Sequence, residues 1–568
     1  MLCAHMRFPL RRRPTLQALL LALALSFVAA RAQPLGDAAA AARPRREDRG
    51  DLIVLHLYGS YYEMGRQQAE LLGPVARRMY EYHRGKYAQR LTGGGLRLKL
   101  FDLGMGLLTW VGPLYEESGF FDEINGIADG LGVPRSDLLR AVTATSLGST
   151  VFAATRSATA DGGAIIGRNV DWGDGDGTMR PVVMHFHPSN GDLAYIIAGW
   201  PLIGAPAIGI NAAGLALSFN FFIVDETVGI PPQMRDRRAL QTAKTVEQAL
   251  RVFTNVRKRA MPTFMVMADA TGDIAMIECT PSAYTIFRPD GDWFAQANHA
   301  RTPQMIPFDR YRSEDSFQRR AAMEAAVRPH LGSITPEIAA QILRDRSNSP
   351  YVNGPTVANL FVLNAAVIHP ASKTLWHSTT MQPQAPFGEM VPFSVAADTA
   401  VTPTLPADPR LGTPAMQHEA AVVGQMRQAT RLFNAGKFAE AQQIWDDLAR
   451  QGESILNPAR LTYGRAAARL QRHQLEEAAA LLATIDPAHA PFDVLLASTG
   501  YRGVIADRLG HRSDAISFYR QAAAYADTHP EYIDRFTTEI RGLVTAGLSR
   551  PLDWEPMPKT PALQYVPE

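Results

Sequence analysis

The chain has 568 residues, 46% of them hydrophobic and 20% charged, an ordinary globular composition and too long for one average domain. Its 57 basic and 55 acidic residues leave a formal charge of +2. No net field therefore draws it to nucleic acid or an anionic membrane, and neither is expected as a partner.

Arg7, Arg11, Arg12 and Arg13 precede the apolar run Leu16–Ala30, and Ala30-Arg31-Ala32 offers small residues for cutting. The pattern predicts a signal peptide over residues 1–32 and a periplasmic or secreted protein. The run is shorter than the roughly 20 residues a spanning helix needs, and no later segment is long enough, so no stable membrane insertion is expected. Cutting after Ala32 removes Cys3 and leaves Cys279 as the one mature cysteine, which excludes an intramolecular disulfide. Gln33–Arg49 has no apolar period and reads as a disordered leader, with order beginning near Asp51.

Leu52–Tyr58 is an apolar strand, and Tyr62–Tyr80 is helical, with Met64, Gln68, Leu71 and Leu72 at helical spacing. A second helix covers Phe121–Leu131. From Ala164 to Glu278, short runs rich in Val, Ile and Phe alternate with turns at Ser189–Asp192, Asn211–Gly214 and Ala270–Asp273. A helix over Thr245–Asn255 interrupts these strands, more strands run through Ala283–Gln296, and a helix follows at Ser313–Val327. Strands and helices in separate blocks argue for an α+β fold over residues 50–396.

A proline-rich stretch, 397–416, reads as a linker. Beyond it, residues 417–550 are helical and repetitive: GKFAEAQQIW, HQLEEAAALL and HRSDAISFYR align at Ala441, Ala478 and Ala515, 37 residues apart. A small residue at fixed period within helix-turn-helix patterns marks a solenoid, because each helix pair buries its apolar face only against its neighbours. The segment resembles tetratricopeptide repeats, whose period is slightly shorter, and implies a protein partner. A plain helical bundle is the alternative.

No GxSxG, HExxH or GxxxxGK[ST] signature is present. His185 and His187 share one face of a strand without a placed carboxylate, and Asp171, Asp174 and Asp176 lack the rest of a calcium loop, so no metal and no cofactor is expected.

What stands out is an ordered series: GSYYEMGRQQAELL at Gly59, DEINGIADGLGV at Asp122, LGSTVF at Leu147, DGGAIIGRNVDW at Asp161, GINAAGLALSFNF at Gly209 and ANHA at Ala297. Over Leu52–Phe393 this series resembles the acyl-coenzyme A:isopenicillin N acyltransferase-like family of N-terminal nucleophile (Ntn) hydrolases. The resemblance implies a four-layer αββα sandwich and a precursor that cuts itself at a Gly-Cys bond. Gly148-Ser149 occupies that place here. A serine departs from the family's cysteine, although hydroxyls serve in related enzymes. The freed α-amine, with an ordinary pKa of about 7.7–8.0, is the base the hydroxyl needs.

By the same resemblance Arg168 and Asp171 sit beside the nucleophile, and Asn298, with Asn220 as a second donor, stabilises the oxyanion. The family places a further arginine downstream, which no motif here locates. Each residue also has a structural reading: a turn serine, an ion pair at spacing three, a turn-forming asparagine. Cys279, in an apolar strand, reads as a small buried hydrophobe. The sequence thus predicts an exported autoproteolytic amidohydrolase or acyltransferase acting on a small-molecule amide. A catalytically dead periplasmic scaffold and a phospholipase B-like lipid hydrolase are the other readings.

Overall fold

The computed structural model describes residues 43–93, 102–104, 119–143, 148–171, 179–202, 207–221, 223–225, 232–255, 262–310, 312–395 and 403–552. The expected signal peptide, and Asp174 and Asp176, lie outside the described residues.

Fifteen strands among them form two sheets. The larger has the order β1-β2-β5-β6-β7-β8-β9-β10-β11, built from Arg45–Arg49, Leu52–Gly59, Val182–Pro188, Tyr195–Gly199, Ile208–Asn211, Ala216–Asn220, Thr263–Ala268, Ile274–Cys279 and Tyr284–Phe287. The smaller, β12-β3-β4-β13-β14-β15, takes Trp293–Gln296, Gly148–Ala154, Ile165–Asp171, Val362–His369, Thr374–Ser378 and Met390–Ser394. β2 and β5 pair in parallel, whereas β3 and β4 form an antiparallel pair. The three predicted turns connect β5 to β6, β7 to β8 and β9 to β10.

β1 corrects the last part of the expected disordered leader, whose residues 33–42 lie outside the described residues. Arg45–Arg49 pairs antiparallel with Leu52–His56 across a turn at Gly50, whose φ of +62° suits glycine. An edge strand keeps its ladder hydrogen bonds without burying its side chains, so it leaves no apolar period to read.

Period-2 alternation gives each sheet two apolar faces. Val54, Val183, Ile196, Ile210 and Val266 of the larger sheet meet Val151, Ile166, Ala366 and Leu375 of the smaller in one layer between them. The other face of the larger sheet packs on α1 (Tyr61–Leu72), α2 (Pro74–Gly93), α3 (Phe120–Leu131), α4 (Arg135–Thr143), α5 (Pro232–Thr242) and α6 (Val246–Thr254). The far face of the smaller sheet packs on α7 (Glu314–Val327) and α8 (Pro336–Leu343). The result is a four-layer αββα sandwich.

Two of the quoted motifs are explained by packing. A Cβ on Gly65 of α1 would collide with the Glu123 carbonyl of α3, and one on Gly126 with the Tyr62 carbonyl, so these glycines let the two backbones touch. Gln68 donates to the buried Glu123, which also pairs with Arg237 of α5. The single helix expected over Tyr62–Tyr80 is two, because Gly73 takes φ +53° and ends α1.

Residues 403–413 of the proline-rich stretch lie along the smaller sheet: Leu405 bridges Met390, and the Trp376 indole donates to the Pro403 carbonyl. Seven helices follow among the described residues: α9 (Pro414–Asn434), α10 (Phe438–Gln451), α11 (Pro458–Gln471), α12 (Leu475–Ala483), α13 (Phe492–Arg508), α14 (Arg512–Asp527) and α15 (Arg535–Ser549). Ala441, Ala478 and Ala515 are fully buried at equivalent places in α10, α12 and α14. The turns before them repeat as well. Gly436, His473 and Gly510 have φ of +75°, +58° and +80°, and Lys437, Gln474 and His511 donate back to Leu432, Arg469 and Ala506 at 2.9, 3.0 and 2.8 Å. That is one Schellman-type closure repeated every 37 residues.

Candidate active site

β3 and β4 place the residues around Gly148-Ser149 by register. Gly148 lies opposite Asp171, Ser149 opposite Val170 and Val151 opposite Arg168. Opposed residues share a face and alternate ones switch it, so Ser149 and Arg168 point into the layer between the sheets while Thr150 and Asp171 point toward α7. Arg168 and Asp171, three apart on a strand, therefore face opposite ways and serve different partners.

On the inner face Arg168 Nη2 donates to Ser149 Oγ at 2.7 Å, and that hydroxyl lies 2.7 Å from the Gly148 carbonyl oxygen. Both side chains are fully buried. Burial draws the Arg168 guanidinium down to about 9, against the pull of Asp171 and Asp236. A guanidinium beside a hydroxyl stabilises negative charge on that oxygen and is no base. Asp236, on α5, is buried with neither carboxyl oxygen hydrogen-bonded, and burial raises it well above the carboxylate range, offset by Arg168.

On the outer face the organising group is Arg319 of α7, which no sequence motif singles out. It donates to the Ser149 carbonyl at 2.7 Å, to Thr150 Oγ1 at 2.8 Å and to Asn298 Oδ1 at 2.9 Å. It pairs with Asp171 at 3.3 Å and with Asp315 at 2.8 Å. Burial raises Asp171, opposed first by Arg319, then by Asn359 and Arg168. Asn359 donates to the other Asp171 oxygen at 3.1 Å. Arg319 stands 170 residues from Ser149 and inside an ordinary helix with an i,i+4 acid, so in one sequence it reads as a surface ion pair.

Asn298 Oδ1 also accepts from the Ser149 amide at 2.8 Å, while its Nδ2 donates to the Phe221 carbonyl at 3.1 Å. Asn220, at the end of β8, donates to the Ala297 carbonyl at 2.9 Å, and its buried Oδ1 accepts no hydrogen bond. The structure thus brings Ser149, Arg168, Asp171 and Asn298 into one network through Arg319 and ties Asn220 to the strand end that carries Asn298. Cys279 lies in the layer between the larger sheet and its helices, away from this network.

His185 and His187 of β5 gain a neighbour that the sequence did not suggest. His56 of β2 stacks on His185 with ring centres 4.4 Å apart and planes at 24°, and His187 lies at 15° to His185. One ring nitrogen of each of the three falls within 4.8 Å of the others. Imidazole lone pairs lie in the ring plane, so near-parallel rings aim them side by side rather than at one point.

The four-layer αββα sandwich, with a buried hydroxyl at the start of β3, agrees with the fold that the sequence resemblance implies. Residues 158–379 match the model of a family described as acyl-coenzyme A:6-aminopenicillanic acid acyl-transferase. Among curated proteins, "Protein dcd1B" of Dictyostelium discoideum is 25% identical over 270 residues, covering 42% of this chain and 53% of that protein. The chain thus spans about half the length of the relative it matches. Among solved structures, an N-acylethanolamine-hydrolyzing acid amidase ortholog of Caenorhabditis elegans is 13% identical, with 39% of this chain and 93% of that one aligned at a TM-score of 0.30. The penicillin V acylase of Agrobacterium tumefaciens is 15% identical, with 41% and 84% aligned at 0.29.

Proposed function

We propose that the protein is an exported, self-processing acylase that hydrolyses a linear amide of a small molecule with Ser149 as its N-terminal nucleophile. The observation that carries this reading is the Ser149 hydroxyl, buried 2.7 Å from both the Gly148 carbonyl oxygen and the Arg168 guanidinium. In self-cutting, Oγ attacks the Gly148 carbonyl carbon and its proton passes to the Ser149 nitrogen as the C–N bond breaks. The ester so formed takes up water, which frees the Gly148 carboxylate and leaves Ser149 with a hydroxyl and an α-amine.

In turnover that amine, where the Ser149 nitrogen now faces Asn298, takes the hydroxyl proton. Oγ attacks the substrate carbonyl, the amine leaves with the proton, and an acyl ester remains. Water, deprotonated by the α-amine, releases the acid. Arg168 holds charge at Oγ, Asp171 and Arg319 fix the strand that carries it, and the amides of Asn298 and Asn220 are the donors to the oxyanion. The chemistry needs no metal or cofactor. Hydrolysis is favoured over transfer because no feature of the sequence marks an acceptor site.

Intact mass of the purified full chain tests the reading. Wild type should give two chains, 33–148 and 149–568, the first beginning at Gln33 if residues 1–32 are a signal peptide. Ser149→Ala should stay in one piece and inactive, Ser149→Cys should cut, and Cys279→Ala should behave as wild type. An uncut wild type that still hydrolyses N-acyl amides would sink the mechanism. An uncut protein inactive on amides and ester lipids alike would favour a scaffold, and ester-lipid hydrolysis without amide hydrolysis would favour the phospholipase reading.

A further inference from the structure

Between α8 and β13 the chain runs through residues 344–361, a loop that touches β4 on one side and the helices after residue 413 on the other. On the β4 side, Asn169 Nδ2 donates to the Leu343 and Val357 carbonyls at 2.9 and 2.8 Å, and Asn359 Nδ2 donates to Asp171 Oδ1 at 3.1 Å. On the helix side, Arg427, buried in α9, donates from Nη2 to the Leu360 carbonyl at 2.6 Å. The amide of Asn457, which caps α11, donates to Asn353 Oδ1 at 2.8 Å, and the Val352 amide donates to the Ile455 carbonyl at 2.9 Å. Val352, Leu360 and Phe361 lie in the apolar core of those helices.

We propose that Asn359 is a positioning residue that orients the Asp171 carboxylate in support of the nucleophile, and that Arg427 holds it there from α9. This rests on the reading of Ser149 as nucleophile. Each step is a direct contact. Arg427 fixes the carbonyl next to Asn359, Asn359 meets Asp171, Asp171 pairs with Arg319 at 3.3 Å, and Arg319 donates to the Ser149 carbonyl at 2.7 Å. The Asn359 amide has one workable orientation. Its Oδ1 accepts from the Phe361 amide at 2.9 Å, whereas the reversed group would set oxygen against Asp171 and N–H against N–H. Asp171 is fully buried, so protein donors must take the place of water around its charge. The charged groups that face it are Arg319 and Asp315 on α7 and Arg168 on its own strand, and burial raises its carboxyl while Arg319, Asn359 and Arg168 draw it down. Without the Asn359 donor it stays protonated to a higher pH. A neutral Asp171 grips Arg319 less firmly, because charge-assisted hydrogen bonds are about twice as strong as neutral ones.

The test uses the full chain and a small β-lactone. Ser149 Oγ attacks the lactone carbonyl carbon, the ring acyl–oxygen bond breaks, and the ring oxygen takes the proton lost by the hydroxyl, so labelling is read by intact mass with no knowledge of the substrate. Rates are compared from pH 5.5 to 9 as ratios of variant to wild type, which removes the titration of the amine common to both. Asn359→Leu removes the donor, and its ratio should be at least about threefold lower at pH 5.5 than at pH 9. Asn359→Asp keeps the shape and the acceptor for Phe361. Its carboxyl donates to Asp171 while protonated and repels it once ionised, so its ratio should fall the other way, about tenfold from pH 5.5 to 9. Arg427→Met should tilt as Asn359→Leu does but less steeply, with most of the loss recovered in Arg427→Lys. Arg431→Met, at an exposed position one turn further along α9, should match wild type. A variant isolated uncut is read by its rate of cutting over the same pH range. A residue that merely kept the fold would lower every rate without regard to pH, so flat ratios in both Asn359 variants overturn the proposal and leave the nucleophile in place. An Arg427→Met protein indistinguishable from wild type overturns the hold from α9. A wild type that is neither cut nor labelled overturns the nucleophile reading and this one with it.

Discussion

Buried charge is distributed differently in the sandwich and in the helices that follow it. Within the hairpins α9 to α14 the core is apolar, with Trp445, Tyr463 and Tyr519 against the alanines at 441, 478 and 515. Ion pairs such as Arg469–Glu477 and Arg535–Glu539 reach the surface, and charges that these helices do bury, such as Arg460 and Asp507, are paired with Asp493 and Arg512. In the sandwich, Arg168, Asp171, Asp236 and Arg319 are all within 1% of full burial. Such charges rarely add stability relative to apolar replacements, so their retention points to a geometric task. The helices are built for packing, whereas one end of the sandwich is built to hold a serine.

The sharpest way to break that contrast is Arg319→Met. It leaves Asp315 and Asp171 buried without their main partner, and loss of one member of such a pair costs about 3–5 kcal/mol. Thermal unfolding should fall accordingly, and β-lactone labelling of Ser149 should drop by more than about 10³-fold. A variant that stays stable and reactive would mean the network is ordinary packing.

A smaller effect is expected at His377, fully buried on β14 with Nδ1 2.7 Å from the Ser378 carbonyl. Burial draws this imidazole from 6.5 to about 4. The unfolded chain therefore binds the proton between these values while the folded chain does not, and stability is lost as pH falls from about 6.5 to 4, on the order of 3 kcal/mol. Denaturation midpoints at pH 7 and 4.5 should converge in His377→Gln relative to wild type. Asp315 works with the opposite sign, its burial penalty being fully present only above about 7. A His377→Gln curve parallel to wild type would show that the buried acids dominate this range.

The smallest effect belongs to the helices. His473 takes the left-handed φ of +58° where the equivalent turns have Gly436 and Gly510. His473→Gly should stabilise the protein by about 0.5–1 kcal/mol, read as a rise in melting temperature with labelling of Ser149 unchanged. A loss instead would show that the contact of its ring with Arg508 at 3.2 Å outweighs the backbone strain.

The sequence by itself determined much of the local structure. The period of 37 locates the buried alanines because each hairpin meets mainly its neighbours, and the turns at Ser189, Asn211 and Ala270 follow from their residue types. Thr245 and Ser313 mark helix starts because their hydroxyls cap Gln248 and Ser316. The same logic fails where the cause is distant. α5 carries a weak local signal and forms because it covers a sheet face, whereas α8 has a local start in the Thr335 cap and Pro336. The strand at Arg45–Arg49 exists because a neighbour offers its ladder. The tertiary structure alone decided that Arg168 and Asp171 part to opposite faces and that Arg319 returns from 170 residues away. A buried charge is legible only with its partners, and β-sheet register, not chain proximity, chooses them.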